Sequence, residues 1–164
     1  MMKLMMLYSY FVDGFAYAGE ALSGRYIGAK DKIALKRAVK VIFAWSCAIG
    51  AVSTVGYWAG GEWMVGFLAD DTEVVAHSAS FLPWLLVMPF VSSVAFTWDG
   101  IFIGATATKA LRNSMLWAVA GFFLSYFLLR GNIGVHSLWA GYMMHLLVRT
   151  VYLSAVAKKE IFEA

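Results

Sequence analysis

The sequence predicts an all-α integral membrane protein with five transmembrane helices, and three observations carry that prediction. Of its 164 residues, 62% are hydrophobic and only 14% are charged. A soluble domain has roughly 45–50% apolar and about 25% charged residues, so a soluble globule of this size could not cover so much apolar surface. Five segments, near 4–28, 38–59, 74–104, 110–129 and 137–157, can each cross a hydrocarbon core of about 30 Å, which takes about 20 helical residues. Lysine and arginine gather at alternate connections between them. In lipid the spans must be helical, because isolated strands leave backbone groups unsatisfied. Seven Trp, eight Tyr and twelve Phe agree with this class, since aromatic rings collect at membrane interfaces.

The first span begins like a secretory signal, with Lys3, an apolar run and Ala16-Tyr17-Ala18 as a small-residue site. Asp13 interrupts the apolar core that a signal peptide needs, so a transmembrane helix fits better. The third span is too long to stand straight and carries Pro83 and Pro89, which remove backbone donors and bend helices. Both prolines are candidate bending points, as a moving hinge or as fixed packing geometry. Three glycine pairs at helical spacing, Gly24 with Gly28, Gly56 with Gly60 and Gly100 with Gly104, permit close helix approach. They fall at predicted helix ends, which favours turns or caps.

Orientation follows from charge. Lys30, Lys32, Lys36, Arg37 and Lys40, then Lys109 and Arg112, then Lys158 and Lys159 share one side if five helices alternate. The other side has Lys3 and Arg130 with Glu62, Asp70, Asp71 and Glu73. The positive-inside rule makes the basic side cytoplasmic, with the N-terminus outside and the C-terminus inside the cell (inner) membrane. Trp58, Trp63 and Trp139 then form an outer aromatic belt. The connection 60–73 reads as an amphipathic turn in the interface; its acidic end reads as a solvated helix start in preference to a cation site.

Ionisable residues at membrane depth are expensive and point to function. Asp13 and Glu20 lie seven residues apart, on one helix face, roughly 22 Å and 12 Å from the boundary near Gly28 at 1.5 Å per residue. Asp99, in Trp98-Asp99-Gly100, is a third acid, within reach of Thr97, Thr106 and Thr108 or of Lys109 and Arg112 at the helix end. These three are the candidate substrate or coupling-ion residues. In the last span His145 and Arg149 share a face. Arg149 matches the depth of Glu20, and His145 approximates that of Asp13, which makes them candidate electrostatic partners. Arg149 either forms a static pair or snorkels, or it takes part in a proton or substrate pathway; His145 fits a hydrogen-bonded packing role. No zinc spacing, phosphate loop or nucleophile motif occurs, so no catalytic, cofactor or metal residues are expected. The single Cys47 packs in a helix, and a net charge of +3 is too small and scattered for nucleic acid.

Asp13-Gly14-Phe15-Ala16-Tyr17-Ala18-Gly19-Glu20-Ala21, followed by Gly24, Gly28-Ala29 and Asp31, resembles the eighth helix and following loop of DinF-type transporters of the multidrug and toxic compound extrusion (MATE) family. Asp99-Gly100-Ile101-Phe102-Ile103-Gly104-Ala105-Thr106 and Arg112-Asn113-Ser114-Met115 resemble the end of that family's tenth helix and the loop after it. Leu138-Trp139-Ala140-Gly141 with Arg149 resembles its twelfth. The resemblance implies the partial C-terminal lobe of a MATE-type helical bundle. It also implies an antiporter exporting small cationic or amphipathic compounds in exchange for H+ or Na+ by alternating access, with no other cofactor. Such transporters have two six-helix lobes, so the first lobe and one further helix are expected to be missing, as in a truncated gene or fragment; the partners are membrane lipid and that lobe or a second chain. Two rivals are a lipid-linked oligosaccharide flippase of the same superfamily, which favours a more cationic cavity, and a non-transporting membrane scaffold.

Overall fold

A computed structural model of the chain describes residues 2–68 and 81–162. Among these it contains five long helices: α1 (Met2–Gly28), α2 (Lys32–Leu68), α3 (Leu82–Gly104), α4 (Thr108–Ile133) and α5 (His136–Ala157), closed by a π-type turn at Lys158–Phe162. No strand occurs among the described residues, as the all-α expectation requires. Three of the helices, over Lys32–Gly61, Leu82–Gly104 and Thr108–Ile133, are long and apolar enough to cross a membrane. α1 and α5 reach 27 and 22 residues but are more polar, for they carry the ionisable residues singled out above.

Two boundaries differ from the sequence expectation. α2 continues through the glycines at 60, 61 and 66 to Leu68, so its 37 residues span roughly 55 Å at 1.5 Å per residue. The separate interfacial turn expected after residue 59 is therefore a continuation of α2; no proline interrupts it, and continued helix keeps its backbone bonded. The acidic group Asp70, Asp71 and Glu73 lies outside the described residues, as does the expected helix start near 74. α3 begins at Leu82, which puts Pro83 in the first turn, where its missing N–H would have had no partner anyway. Pro83 is thus a helix-start residue, and the expectation of bending there is corrected. Pro89 does lie inside the helix.

Two apolar clusters sit at opposite ends of the bundle. One joins Leu35 and Val39 to Trp98, Ile101, Phe102, Ala110, Leu111, Leu153, Ala157 and Ile161, with Tyr26 and Ile27 against it. The other joins Tyr8, Val12, Tyr57 and Leu85. Each cluster combines a helix end with the start of the next helix, so successive helices run antiparallel. All three basic clusters of the sequence therefore meet at one end, and Trp58 and Trp63, 76% and 73% exposed, lie towards the other.

α3 is the central post, packed on α1, α2 and α5. Its contact with α1 is built from glycine. A Cβ at Gly100 would lie 2.0 Å from the Ala16 carbonyl oxygen, and one at Gly104 would lie 2.2 Å from that of Glu20. The space beside Gly24 is also closed by Gly104, whereas Gly28, Gly56 and Gly60 face open space. Gly100 and Gly104 are thus interface residues and not caps, which corrects the expectation for that pair. Hydroxyls line the same post. Tyr8 Oη donates to the Pro89 carbonyl at 2.5 Å, Thr54 to that of Leu86, Ser46 to that of Ser93 and Ser23 to that of Ile101. These hydroxyls find acceptors on the α3 backbone, where lipid would offer none, and so tie α1 and α2 to it.

The connections at the basic end share one geometry. In the first, Lys30 N–H bonds to the Ile27 carbonyl and Asp31 N–H to that of Tyr26; in the second, Thr106 N–H bonds to Ile103 and Ala107 N–H to Phe102. This is a Schellman-type closure, with Lys30 (φ 55°) and Thr106 (φ 54°) in the left-handed position where glycine is usual.

Candidate functional site

A cavity of about 430 Å³ opens between α1 and α5 over the face of α3, within the size range of small-molecule sites. α1 supplies Met6, Tyr8 and Ser9, α3 supplies Ser92 and Phe96, α4 supplies Phe122, and α5 supplies Leu138, Trp139 and Tyr142. Five of these side chains are aromatic. The lining is mostly apolar with a few hydroxyls, which suits an amphipathic guest.

Helical spacing leads from this lining to the charged residues. Asp13 follows Ser9 by four residues on α1, Asp99 follows Ser92 by seven on α3, and Arg149 follows Tyr142 by seven on α5. Each offset is one or two turns along the same face, and each runs towards the basic end. On α1 the buried positions Tyr8, Val12, Gly19 and Ser23 face α3. Asp13 and Glu20 each follow one of these by a single residue, so both flank the packed stripe at about 100°, and both are half-buried.

The structure joins Asp99 to Arg149. The Arg149 guanidinium donates through Nη2 to Asp99 Oδ1, in an ion pair whose side chains are 9% and 19% exposed. Sequence depth had matched Arg149 to Glu20. Among the described residues, neither Asp13 nor Glu20 forms an ion pair or a side-chain hydrogen bond. The suggested neighbours of Asp99 also turn elsewhere: Thr97 donates to Ser46 at 2.8 Å, and Arg112 bonds Asn113. His145 approaches the Ala118 backbone of α4 and stacks with Tyr142 at 6.4 Å, which is a packing environment. Arg149 retains a buried Nε with no hydrogen-bond partner among the described residues. Unpaired buried donors are rare and call for an explanation in function or solvent.

Two further polar links between α3 and α5 escaped the sequence reading. Trp98 Nε1 donates to Ser154 Oγ at 2.9 Å, and Trp84 Nε1 donates to His136 Nδ1 at 3.1 Å. With the ion pair beside Trp98, they fasten α3 to α5 towards both ends. Tryptophan and serine are common at membrane interfaces, so spacing alone offered no signal for them. No group of three or more His, Cys, Asp or Glu suited to a metal occurs among the described residues.

A bundle of long antiparallel helices with basic connections at one end, a cavity between α1 and α5 and a buried Asp–Arg pair two helical turns along α3 and α5 from its lining, defines a polytopic membrane protein. The MatE family model matches residues 1–128, and the chain belongs to that family. It is 33% identical over 159 residues to the DNA damage-inducible protein F of Escherichia coli (strain K12), covering 97% of this chain and 34% of that protein. It is 26% identical over 154 residues to the "Probable multidrug resistance protein NorM" of Photorhabdus laumondii subsp. laumondii, covering 88% of this chain and 34% of that one. The chain thus spans about a third of the length of these relatives. No solved structure matches it.

Proposed function

We propose that the chain forms part of the C-terminal lobe of a multidrug antiporter that exports small cationic or amphipathic compounds by alternating access, driven by H+ or Na+. The observation that carries this reading is the aromatic-walled cavity between α1 and α5, with the Asp99–Arg149 pair two helical turns along the same faces of α3 and α5. A relative named as a probable multidrug resistance protein supports the substrate class. In this reading the cavity holds the apolar part of the guest. Asp13 and Glu20, half-buried without a partner among the described residues, attract its cation or the coupling ion. Asp99 exchanges its bond to Arg149 for that cation, and Arg149 Nε, without a hydrogen-bond partner among the described residues, leaves the pair incompletely satisfied. The basic end faces the cytoplasm of an inner membrane, with the N-terminus outside. The opposing lobe or a second chain completes the cavity. We assign it transport and no catalysis.

Dye export from cells carrying the complete transporter tests this. Asp13→Asn, Glu20→Gln and Asp99→Asn together abolish export at unchanged membrane abundance; normal export by the triple variant overturns the site assignment. Imposing a proton or a sodium gradient separately on vesicles identifies the coupling ion. One observation favours a scaffold reading: Asp99 and Arg149 are already joined to each other in a direct ion pair. That reading expects Asp99→Leu with Arg149→Met to fold and reach the membrane as wild type does, and proton titration to leave the conformation unchanged.

A further inference from the structure

We propose that the groove between the last turn of α1 and the first turns of α2 binds an anionic phospholipid. This groove, about 540 Å³ in volume, is lined by Tyr26 of α1, by Asp31 in the connection and by Ile33, Arg37, Val41 and Ile42 of α2, among others. It lies at the basic end of the bundle, apart from the cleft between α1 and α5, so it is independent of the transport reading.

Charge and shape together identify the occupant. Residues 30–40 contain Lys30, Lys32, Lys36, Arg37 and Lys40 against Asp31 alone. Asp31, which also lines the groove, accepts the Ala34 N–H through Oδ1 at 2.9 Å as the N-cap of α2, where the positive end of the helix offsets its charge. Arg37 is exposed and has no ion pair or hydrogen bond with any described residue. Its guanidinium presents a planar fork that matches a phosphate. Ile33 and Val41, one turn before and one turn after Arg37 on the same stripe, are 81% and 49% exposed. A cation set between exposed aliphatic side chains at the membrane boundary complements a molecule with both a phosphate and acyl chains. A free phosphate leaves the aliphatic wall uncovered, and a zwitterionic lipid brings its own cation towards Arg37 and the lysines that surround it in the sequence.

Native mass spectrometry of the purified protein, delipidated and then titrated with phosphatidylglycerol, phosphatidylcholine or glycerol phosphate, tests the assignment. Phosphatidylglycerol is expected to bind most tightly. Arg37→Gln is expected to weaken it by about fivefold, the effect of one basic residue near an anionic surface. Arg37→Lys should keep part of the affinity. Arg112→Gln removes one charge from the same end without touching the groove and should have little effect. Equal losses for Arg37→Gln and Arg112→Gln overturn the proposal in favour of diffuse attraction. So does phosphatidylcholine binding as well as phosphatidylglycerol, or glycerol phosphate matching the intact lipid.

Discussion

Replacing Gly100 by alanine tests whether α1 and α3 are held by direct backbone contact. The added Cβ would sit 2.0 Å from the Ala16 carbonyl oxygen, where real Cβ atoms essentially never approach within 3.0 Å. The helices must therefore separate by about 1 Å at this point. A radial gap of 0.5–1 Å forfeits roughly a quarter to a half of each dispersion contact it opens. Overpacking typically costs about 1–3 kcal/mol, and the upper end applies because the obstacle is backbone with no rotamer to move. Alanine recovers about 1 kcal/mol of helix propensity over glycine, so the net loss is about 2 kcal/mol. Gly56→Ala is the internal control: nothing lies within 4 Å of its added Cβ, so it should hold stability or gain up to about 1 kcal/mol. Helix content followed by circular dichroism in mixed micelles of dodecyl maltoside and increasing SDS measures both. If Gly100→Ala matches wild type, or shifts in the same direction as Gly56→Ala, the close approach is wrong.

Other expected outcomes rest on separate contacts. Arg149→Met alone should cost about 3–5 kcal/mol by stranding a buried carboxylate, whereas adding Asp99→Leu should restore stability to near wild type; the same SDS titration reads both variants. Tyr8→Phe removes the buried bond to the Pro89 carbonyl, which Ser92 also reaches at 3.3 Å; the expected loss is about 1 kcal/mol, seen as earlier unfolding in that titration. Thr106→Gly should stabilise by about 1 kcal/mol, because a β-branched residue at φ 54° bears a left-handed penalty of about 1–2 kcal/mol that exceeds the added freedom of the unfolded chain. Unchanged or earlier unfolding of this variant argues against the left-handed geometry at 106.

The charged residues were legible as outliers, but their partners were not. Asp13, Glu20, Asp99 and Arg149 stand out because ionisable groups are rare at membrane depth. Counting residues from a boundary ranks their heights along the axis, and by height Arg149 suited Glu20. Height says nothing of which helices are neighbours, and α5 packs on α3, where Asp99 meets it. The glycines failed for a related reason. Gly100 and Gly56 look alike as members of spaced pairs, yet one meets the Ala16 backbone and the other faces open space. Pro83 read as a bend only because the third span was started near 74.

By itself the sequence determined the membrane class, the alternation of the helices and the collection of Lys and Arg at one end. These depend on transfer energy and charge summed along the chain, which composition and order express directly. Tertiary structure decided that α3 is the central post, that Arg149 belongs to Asp99, that Gly100 and Gly104 seat α1, and that a cavity opens between α1 and α5. These depend on lateral packing, where side-chain shape and the identity of the facing helix set the outcome, and neither varies periodically along the chain.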